Sequence, residues 1–325
     1  MKGRADMELS DMKAEFERTC QSYESTMLTF KGVGSFDVYN CSVPFVWKGR
    51  SYIYGRVEKR DEWACSRVFL FDKTGHDEFT VSADSGIYQL EDPFIQFIGD
   101  EIVMGGTRVF KENGEIKTYH ADFFRGTDLN QLVHFASGPD RMKDIRLVQL
   151  RDGRIGVFSR PNGKQIEEKY GSGSVVGFTI IQDLNELTAE VIEHAEIIGH
   201  LFGKGEWGGC NQCYLLRDGR IGVIGHKCYT QKDDEGMDQA VYMNVAFMFD
   251  PETRQATEPR IIATRKNYPM YVAKKPRLKD CAFPSGIVLR SDGKVDLYSG
   301  IGDTAEGRVV IDNPFQGLLT GAPDR

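Results

Sequence analysis

The chain has 325 residues, 40 % of them hydrophobic and 11 % aromatic, and carries a formal net charge of -7. This acidic balance argues against nucleic acid or an anionic membrane as a partner. No apolar run approaches the roughly 18 residues that a membrane-spanning helix needs. The length allows two domains, but a single closed all-β fold can also use it.

Cysteine usage and the start of the chain predict a cytoplasmic protein. The seven cysteines have no regular spacing, which indicates reduced thiols, and residues 1–6 precede no apolar stretch of the kind a signal peptide has. Cys210 and Cys213, together with His226 and Cys228, superficially suggest zinc. Strand alternation would place Cys210 and Cys213 on opposite faces, so we predict no metal site.

Residues 1–30 differ from the rest of the chain. Apolar side chains recur there at steps of three and four, with charged residues between them: Met12, Phe16, Cys20, Tyr23 and Met27. This spacing predicts an amphipathic helical arm. We expect the arm to pack on the main body or to form a homo-oligomer interface.

Residues 31–325 are predicted to form a single domain of strands and turns. A loose repeat of about 50 residues is clearest at five hairpins, which fall at residues 40–55, 89–106, 143–158, 211–225 and 283–298. Three of them turn at Asp-Gly, which supplies the positive φ of a tight hairpin. Further β-rich segments follow each hairpin, so each unit has about four strands.

Five such units predict an all-β fold, a five-bladed β-propeller with a short N-terminal helix. The innermost strands would line one axis, and their first residues would meet at one mouth of the channel. These are polar in several units: Asn40, Asp92, Asp144, Asn211 and the segment 280–284. A ring of polar residues from different repeats predicts a binding site.

Motifs in these units resemble the five-bladed propeller glycosidases. The last unit contains Phe-Pro-Ser-Gly at 283–286 and Leu-Tyr-Ser-Gly-Ile-Gly-Asp-Thr at 297–304. Both are similar to the last blade of glycoside hydrolase family 130, the β-mannoside phosphorylases and β-mannosidases. Glu-Asp-Pro at 91–93 is similar to the Glu-Asp-Pro-Arg of that family. At position 94 the chain has Phe instead of Arg, which removes a cation from the mouth.

Three further residues support this resemblance. Asn40 and Arg56 look like the first-blade Asn and Arg of the family, and His226 looks like its Tyr-His-Gly histidine. The resemblance covers residues 36–311. The chain looks especially like bacterial sequences grouped as domain of unknown function family 1861, which sits beside those enzymes.

The resemblance implies that Asp92 is the acid that protonates the leaving oxygen of a glycosidic bond. Glu91 adds a neighbouring like charge, which is expected to raise a carboxyl pKa. Strand alternation would nevertheless turn Glu91 to the opposite face.

The second reacting group depends on the reaction. In phosphorolysis, inorganic phosphate is the co-substrate and cations must hold it; the candidates are His226, Arg56, Lys143, Arg146 and Lys227. No other cofactor is expected. In inverting hydrolysis a second carboxylate activates water, and the candidates are Glu206, Asp144 and Asp303. We assign substrate binding to Asn40, Arg56, Lys143, Arg146, Trp207, Asn211, His226 and Asp303.

Three functions remain open at this point. The first is an enzyme that cleaves a short β-mannoside or related glycoside by phosphorolysis or inverting hydrolysis, with a small oligosaccharide as its partner. The second is a glycan-binding propeller without catalysis. The third is a protein-interaction propeller, although such proteins bind through broad blade surfaces and need no ring of carboxylates.

Overall fold

The computed structural model describes residues 8–319 except residues 22, 84 and 234. Its strands form five sheets that follow one another along the chain. This arrangement confirms the predicted five-bladed β-propeller. The ends of the predicted arm and domain, residues 1–7 and 320–325, lie outside the described residues.

Each blade is a meander that runs from an inner strand to the outer edge. Strand β1 is Ser25–Met27, and blade I contains β2 (Thr29–Lys31), β3 (Asp37–Tyr39), β4 (Phe45–Trp47), β5 (Arg50–Glu58), β6 (Arg67–Lys73) and β7 (Glu78–Val81). Blade II contains β8 (Glu91–Ile98), β9 (Glu101–Glu112), β10 (Glu115–Gly126) and β11 (Val133–Ser137). Blade III contains β12 (Arg146–Gln149), β13 (Ile155–Ser159), β14 (Val176–Ile181) and β15 (Glu196–Ile198). Blade IV contains β16 (Trp207–Leu215), β17 (Ile221–Lys232), β18 (Asp238–Asp250), β19 (Gln255–Ala256) and β20 (Arg260–Ala263). Blade V contains β21 (Ala282–Leu289), β22 (Val295–Ile301), β23 (Ala305–Ile311) and, at its outer edge, β1.

The N-terminal segment closes the ring of blades. Helix α1 (Leu9–Thr19) packs on blade IV through Leu9, and its Lys13 pairs with Asp280 at 3.0 Å. Strand β1 then pairs with β23 of blade V, and β2 pairs with β7 of blade I. The helix is therefore shorter than the periodicity of residues 1–30 suggested, because the chain pairs as a strand from Ser25 onward. A role for α1 in a homo-oligomer stays a prediction.

Two further helices, α2 (Lys164–Tyr170) and α3 (Ala189–Glu193), lie in the connections of blade III. No helix among the described residues has the length and apolar character to cross a membrane.

The apolar core lies between the blades. One buried cluster joins blades I and II, and similar clusters fill the other four seams of the ring. Each sheet therefore packs against a neighbouring blade on both of its faces. In the hairpins of blades III to V the turn glycines have φ of 89°, 94° and 82°, as the Asp-Gly pairs predicted.

Bulges interrupt three inner strands near their first residues. The register shifts between Glu91 and Phe94, between Cys210 and Gln212, and in blade V between residues 284 and 286. A bulge breaks the alternation of side chains. The prediction that Cys210 and Cys213 face opposite ways is therefore wrong: both lie in the cluster between blades III and IV. Burial raises the pKa of the Cys213 thiol, and Cys210 beside it adds to the rise.

Candidate active site at the polar mouth

Three blades place a polar residue in the same backbone conformation beside the inner strand. Asn40, Asp92 and Asp144 have φ of 45°, 50° and 58°, the left-handed region that Asn and Asp tolerate better than other residues with a Cβ. Asp303, in the turn between β22 and β23, has φ of 58° as well. These four residues, with the side chains that contact them, form what we call the polar mouth.

Arg56 on β5 joins two carboxylates at this mouth. Its Nη1 donates to Asp92 Oδ1 at 2.8 Å and its Nη2 to Glu91 Oε1 at 3.0 Å. Its Nε donates to Ser66, and the ring of Tyr39 lies 4.6 Å from the guanidinium carbon. The expectation that Glu91 and Asp92 point apart is therefore wrong, because the bulge lets both reach one planar guanidinium.

Asp92 is held on one side only. Its Oδ1 accepts hydrogen bonds from Asn40 Nδ2 at 2.9 Å and from Arg56. No described residue hydrogen-bonds to Asp92 Oδ2. The carboxyl is thus fixed in orientation while its second oxygen stays available for proton transfer.

Two carboxyls at the mouth, Glu91 and Asp303, have raised pKa values, and burial is the main cause in both. Burial raises the pKa of Asp303, with Arg56 opposing and Asp92 adding to the rise. Burial also raises the pKa of Glu91, again against the attraction of Arg56. The mouth therefore contains carboxyls that retain a proton to higher pH than exposed ones do.

Asp144 is surrounded by cations. Its Oδ2 pairs with Arg160 Nη1 at 3.1 Å, and Arg146 Nη2 lies 4.0 Å from its Oδ1. Burial opposes ionisation of this carboxyl, but Arg160 and Lys143 outweigh burial and hold its pKa below the ordinary range. Such a carboxylate is a weak general base.

His226 is a neutral partner in this half of the mouth. Its Nδ1 lies 2.7 Å from Asn211 Oδ1, and its ring packs against Phe283. Burial lowers the pKa of His226 to about 3, although Asp144 opposes the shift. With Nδ1–H donating to Asn211, Nε2 can accept a hydrogen bond. The sequence predicted that His226 is a cation that holds phosphate. That prediction is wrong, because the buried ring is neutral and can accept a hydrogen bond.

Lys143 and Arg146 supply positive charge beside these acceptors. Among the described residues, no carboxylate lies within 4.0 Å of the Lys143 ammonium. Burial would lower the pKa of Lys143, but Asp144 and Asp92 reverse that effect. Arg146 lies over the Phe94 ring at 4.5 Å and donates from Nε to the Asn211 backbone oxygen. A cation from the neighbouring blade thus lies against Phe94.

Three buried atoms at the mouth have no hydrogen-bond partner within residues 8–319 as described: Asn40 Oδ1, Asp144 Oδ1 and Asn211 Nδ2. Leaving a buried donor or acceptor unpaired costs about 1–3 kcal/mol. Together with Asp92 Oδ2 and His226 Nε2, they present both donors and acceptors in a small space. A ligand rich in hydroxyl groups would satisfy this mixture, because each hydroxyl both donates and accepts.

Glu206 and Trp207 have other neighbours. The Glu206 carboxylate pairs with Lys227 at 2.9 Å and accepts the Gly203 N–H. The Trp207 ring packs edge-on against Tyr242, with centroids 6.0 Å apart. None of these contacts involves an acid of the polar mouth. The catalytic role of Glu206 and the sugar-stacking role of Trp207 stay predictions. Lys227 is a weaker candidate for holding phosphate, because the Glu206 carboxylate already neutralises its charge.

Sequence reasoning missed Arg160, although the repeat contains a signal for it. It is the seventh residue after the turn glycine of blade III, the position that Arg56 and His226 occupy in blades I and IV. Glu58 was also missed as a site residue. It accepts from the Tyr39 hydroxyl at 2.6 Å, and since it follows Arg56 by two residues on one strand it shares the face of that strand.

Lys274 completes the mouth from a distant part of the chain. It forms an ion pair with the buried Glu58, and its backbone N–H donates to Gly302. The loop before blade V is thereby tied to blade I. Nothing in the local sequence identifies Glu58 as its partner.

One group among the described residues has metal-ligand geometry, namely Glu24, His76 and Asp77. Arg308 already donates to both of its carboxylates. The group therefore stabilises the seam between blades V and I by an ion pair with Arg308.

A family model described as a protein of unknown function, DUF1861, matches residues 14–317. The chain is similar to MPT-4, a mannose phosphorylase from Leishmania mexicana in complex with phosphate: 48 % identity, 99 % of this chain and 98 % of that chain covered, TM-score 0.91.

Two other structures are comparably similar. For MPT-1, a GDP-Man-dependent mannosyltransferase from the same organism, identity is 47 %, coverage 97 % of this chain and 98 % of that chain, and the TM-score 0.89. For a hypothetical protein from Leishmania major, identity is 50 %, coverage 97 % and 98 %, and the TM-score 0.85. No curated protein sequence matches the chain.

Proposed function

Because the chain belongs to the DUF1861 family, and shares 48 % identity with a mannose phosphorylase, we propose that it is a glycoside phosphorylase. Its substrate class is a short β-mannoside or a related glycoside. Inorganic phosphate is the co-substrate, and the polar mouth is the active site.

The observation that carries this proposal is the juxtaposition of Asp92 and Lys143. Asp92 Oδ2 accepts no hydrogen bond from any described residue. No carboxylate of a described residue lies within 4.0 Å of the Lys143 ammonium. The Asp92 carboxylate is close enough to help raise the pKa of the Lys143 ammonium. A carboxyl can protonate a sugar oxygen, and a cation near it can hold phosphate, so the two groups together suit phosphorolysis.

In the proposed reaction, a phosphate oxygen attacks the anomeric carbon while the glycosidic C–O bond breaks. Asp92 donates its proton to the departing oxygen, so the products are a glycosyl phosphate and a sugar with a free hydroxyl. Lys143 and Arg146 hold the phosphate, since cations stabilise its charge during attack. Asn211, His226 and Asp303 bind sugar hydroxyls through their donor and acceptor atoms.

Inverting hydrolysis is the second candidate. It needs a base on the far side of the sugar ring. Asp144 suits this role poorly because its cationic neighbours lower its basicity. Asp303 suits it better, since burial raises its pKa and hence its affinity for a proton.

A product screen tests the proposal. Purified protein would be incubated with β-linked manno- and gluco-disaccharides in the presence of phosphate, of sulfate as a matched anion, or of neither. Mannose 1-phosphate and GDP-mannose would be offered as donors to acceptor sugars in parallel. We expect turnover that requires phosphate, with a sugar 1-phosphate as product. Equal release of free sugar with sulfate would establish hydrolysis instead, and turnover confined to GDP-mannose would establish a transferase.

A further inference from the structure

A cavity of about 760 Å³ opens at the other end of the central axis. Its lining comes from the later parts of the inner strands, such as Phe97, Leu215 and Leu289, whereas the polar mouth lies where these strands begin. The volume is that of a small-molecule site, roughly 300–1,000 Å³.

Two glutamines cross the axis between the cavity and the polar mouth. Gln96 of blade II donates to the backbone oxygens of Leu147 and Cys213 at 2.9 and 3.0 Å. Gln212 of blade IV donates to the Ile95 oxygen at 2.9 Å. These bonds tie three blades together, so the cavity is separate from the site already described.

Gln212, which lines the cavity, also has a side-chain acceptor that no described residue pairs with. Its side chain is 4 % exposed, and its Oε1 has no hydrogen-bond partner in the part of the chain that the structure describes. The walls around it are apolar, with Phe45, Val148 and Val288 among the lining residues. A ligand here would need an apolar body and a donor at its inner end.

The rim of the cavity carries arginines from a motif that occurs twice. Arg-Asp-Gly-Arg forms the inner hairpin turn of blade III at 151–154 and of blade IV at 217–220. In each turn the second arginine forms an ion pair with the aspartate. Arg154 lies 2.7 Å from Asp152, and Arg220 pairs with Asp218 in the same way.

The first arginine of each turn, Arg151 and Arg217, lines the cavity. Across the described ranges, neither has a carboxylate within 4.0 Å. The Arg151 side chain reaches the next turn, where its Cζ lies 3.7 Å from the position of a Cβ built on Gly219. Arg151 therefore reaches the turn that contains Arg217, and on this side of the rim neither arginine has a carboxylate partner among the residues that the structure describes. Asp296 also lines the cavity, but Arg290 and Arg308 each hold it at 2.9 Å.

We propose that this cavity binds a small organic anion with an apolar body. The anionic group lies on Arg151 and Arg217, because guanidinium groups hold carboxylates and phosphates through paired N–H donors. The apolar body occupies the cavity between the blades, and a hydroxyl at the inner end donates to Gln212 Oε1.

Calorimetric titration with eight-carbon probes tests this site. Octanoate and octyl phosphate should bind saturably to a single site, whereas octan-1-ol and octylamine should bind about tenfold or more weakly because they cannot use the arginines. 8-Hydroxyoctanoate should bind roughly threefold more tightly than octanoate if its hydroxyl reaches Gln212.

Variants assign the binding to the rim. The double variant Arg151→Gln, Arg217→Gln should weaken octanoate binding about tenfold or more. The matched control Lys117→Gln, Lys232→Gln makes the same change in net charge on exposed residues outside the cavity lining, and should bind octanoate as the parent does. Asp92→Asn should also leave octanoate binding unchanged, which separates this site from the polar mouth.

The proposal is overturned if octan-1-ol and octylamine bind as well as octanoate, or if no probe binds saturably. It is equally overturned if the rim variant, with a melting temperature like that of the parent, binds octanoate with unchanged affinity. A similar loss of binding in the lysine control would attribute the effect to overall charge and would also overturn it.

Discussion

Arg146 of blade III carries its guanidinium carbon 4.5 Å from the centre of the Phe94 ring in blade II. The motif at positions 91–93 resembles one that continues with Arg, so Phe94 suggested the loss of a cation. The contact between the two blades instead places the Arg146 guanidinium beside Phe94. Backbone oxygens of Asn211 and Ile145 accept from Arg146 and fix its orientation.

Arg146→Lys should raise KM for phosphate about tenfold, because the ammonium keeps the charge but loses the planar stack and the paired donors. Initial rates at varied phosphate concentration measure the effect. Arg125→Lys is the matched control, since Arg125 lies 5.1 Å from Phe135 at the outer edge of blade II. Equal KM values for parent and Arg146→Lys would remove Arg146 from phosphate binding.

Asp92→Asn should lower kcat by a factor on the order of 10³, because an amide cannot donate the acid proton. Asn tolerates the left-handed backbone of Asp92, so the fold should persist. Calorimetry should still detect sugar binding. The control Asp100→Asn changes an exposed residue in the hairpin turn between β8 and β9 and should retain full activity. Retained turnover in Asp92→Asn would exclude Asp92 as the acid.

Lys143→Met should raise KM for phosphate about tenfold with a smaller change in KM for the sugar. It removes, at nearly constant length, a cation that has no carboxylate partner among the described residues. Lys227→Met provides the comparison, because Lys227 is neutralised by Glu206 at 2.9 Å. Steady-state kinetics with each substrate varied in turn separates the two constants. A parallel rise in both variants would show that Lys143 has no special part in phosphate binding.

Gly300→Ala should reduce both activity and stability. A Cβ on Gly300 would lie 1.8 Å from Asn40 Oδ1, so Asn40 must move and its hydrogen bond to Asp92 must break. We expect a loss of about 1–3 kcal/mol in the free energy of unfolding, measured in urea. At Gly199 a Cβ meets nothing within 4 Å, so Gly199→Ala should change stability little. Full activity in Gly300→Ala would show that the Asn40 contact is dispensable.

Glu306 should make the protein less stable as pH rises. It accepts hydrogen bonds from Ser285 and from the Cys41 N–H, and burial raises its pKa to about 8 from an ordinary value of 4.5. The folded state therefore keeps a proton that the unfolded state has lost. This contribution is complete below pH 4.5 and disappears as pH rises through about 8.

Between pH 6.5 and 8 the free energy of unfolding should consequently fall by about 1 kcal/mol per pH unit. Urea denaturation across this interval measures the slope. The interval avoids His226, whose lowered pKa removes stability only as pH falls below its ordinary value of 6.5. Glu306→Gln should flatten the slope, and a variant with the parental slope would show that another group titrates.

Much of the architecture can be predicted from local patterns. The Asp-Gly turns are recognisable because few residues adopt positive φ, and the repeat of five hairpins follows from their spacing. Polar residues at equivalent positions of several repeats also identify the mouth, since equivalent positions in a ring meet at its axis. The same repeat arithmetic would have found Arg160.

The five blades, their inner hairpins and the polar residues at the mouth are thus predictable, because turn conformation and hydrophobic spacing are local properties. Which of those residues become partners depends on the folded ring. Arg56 reaches both Glu91 and Asp92 because of a bulge, and Lys274 reaches Glu58 through a loop from the far end of the chain. Such contacts depend on small backbone shifts and on the closure of the ring, neither of which leaves a local signature in the sequence.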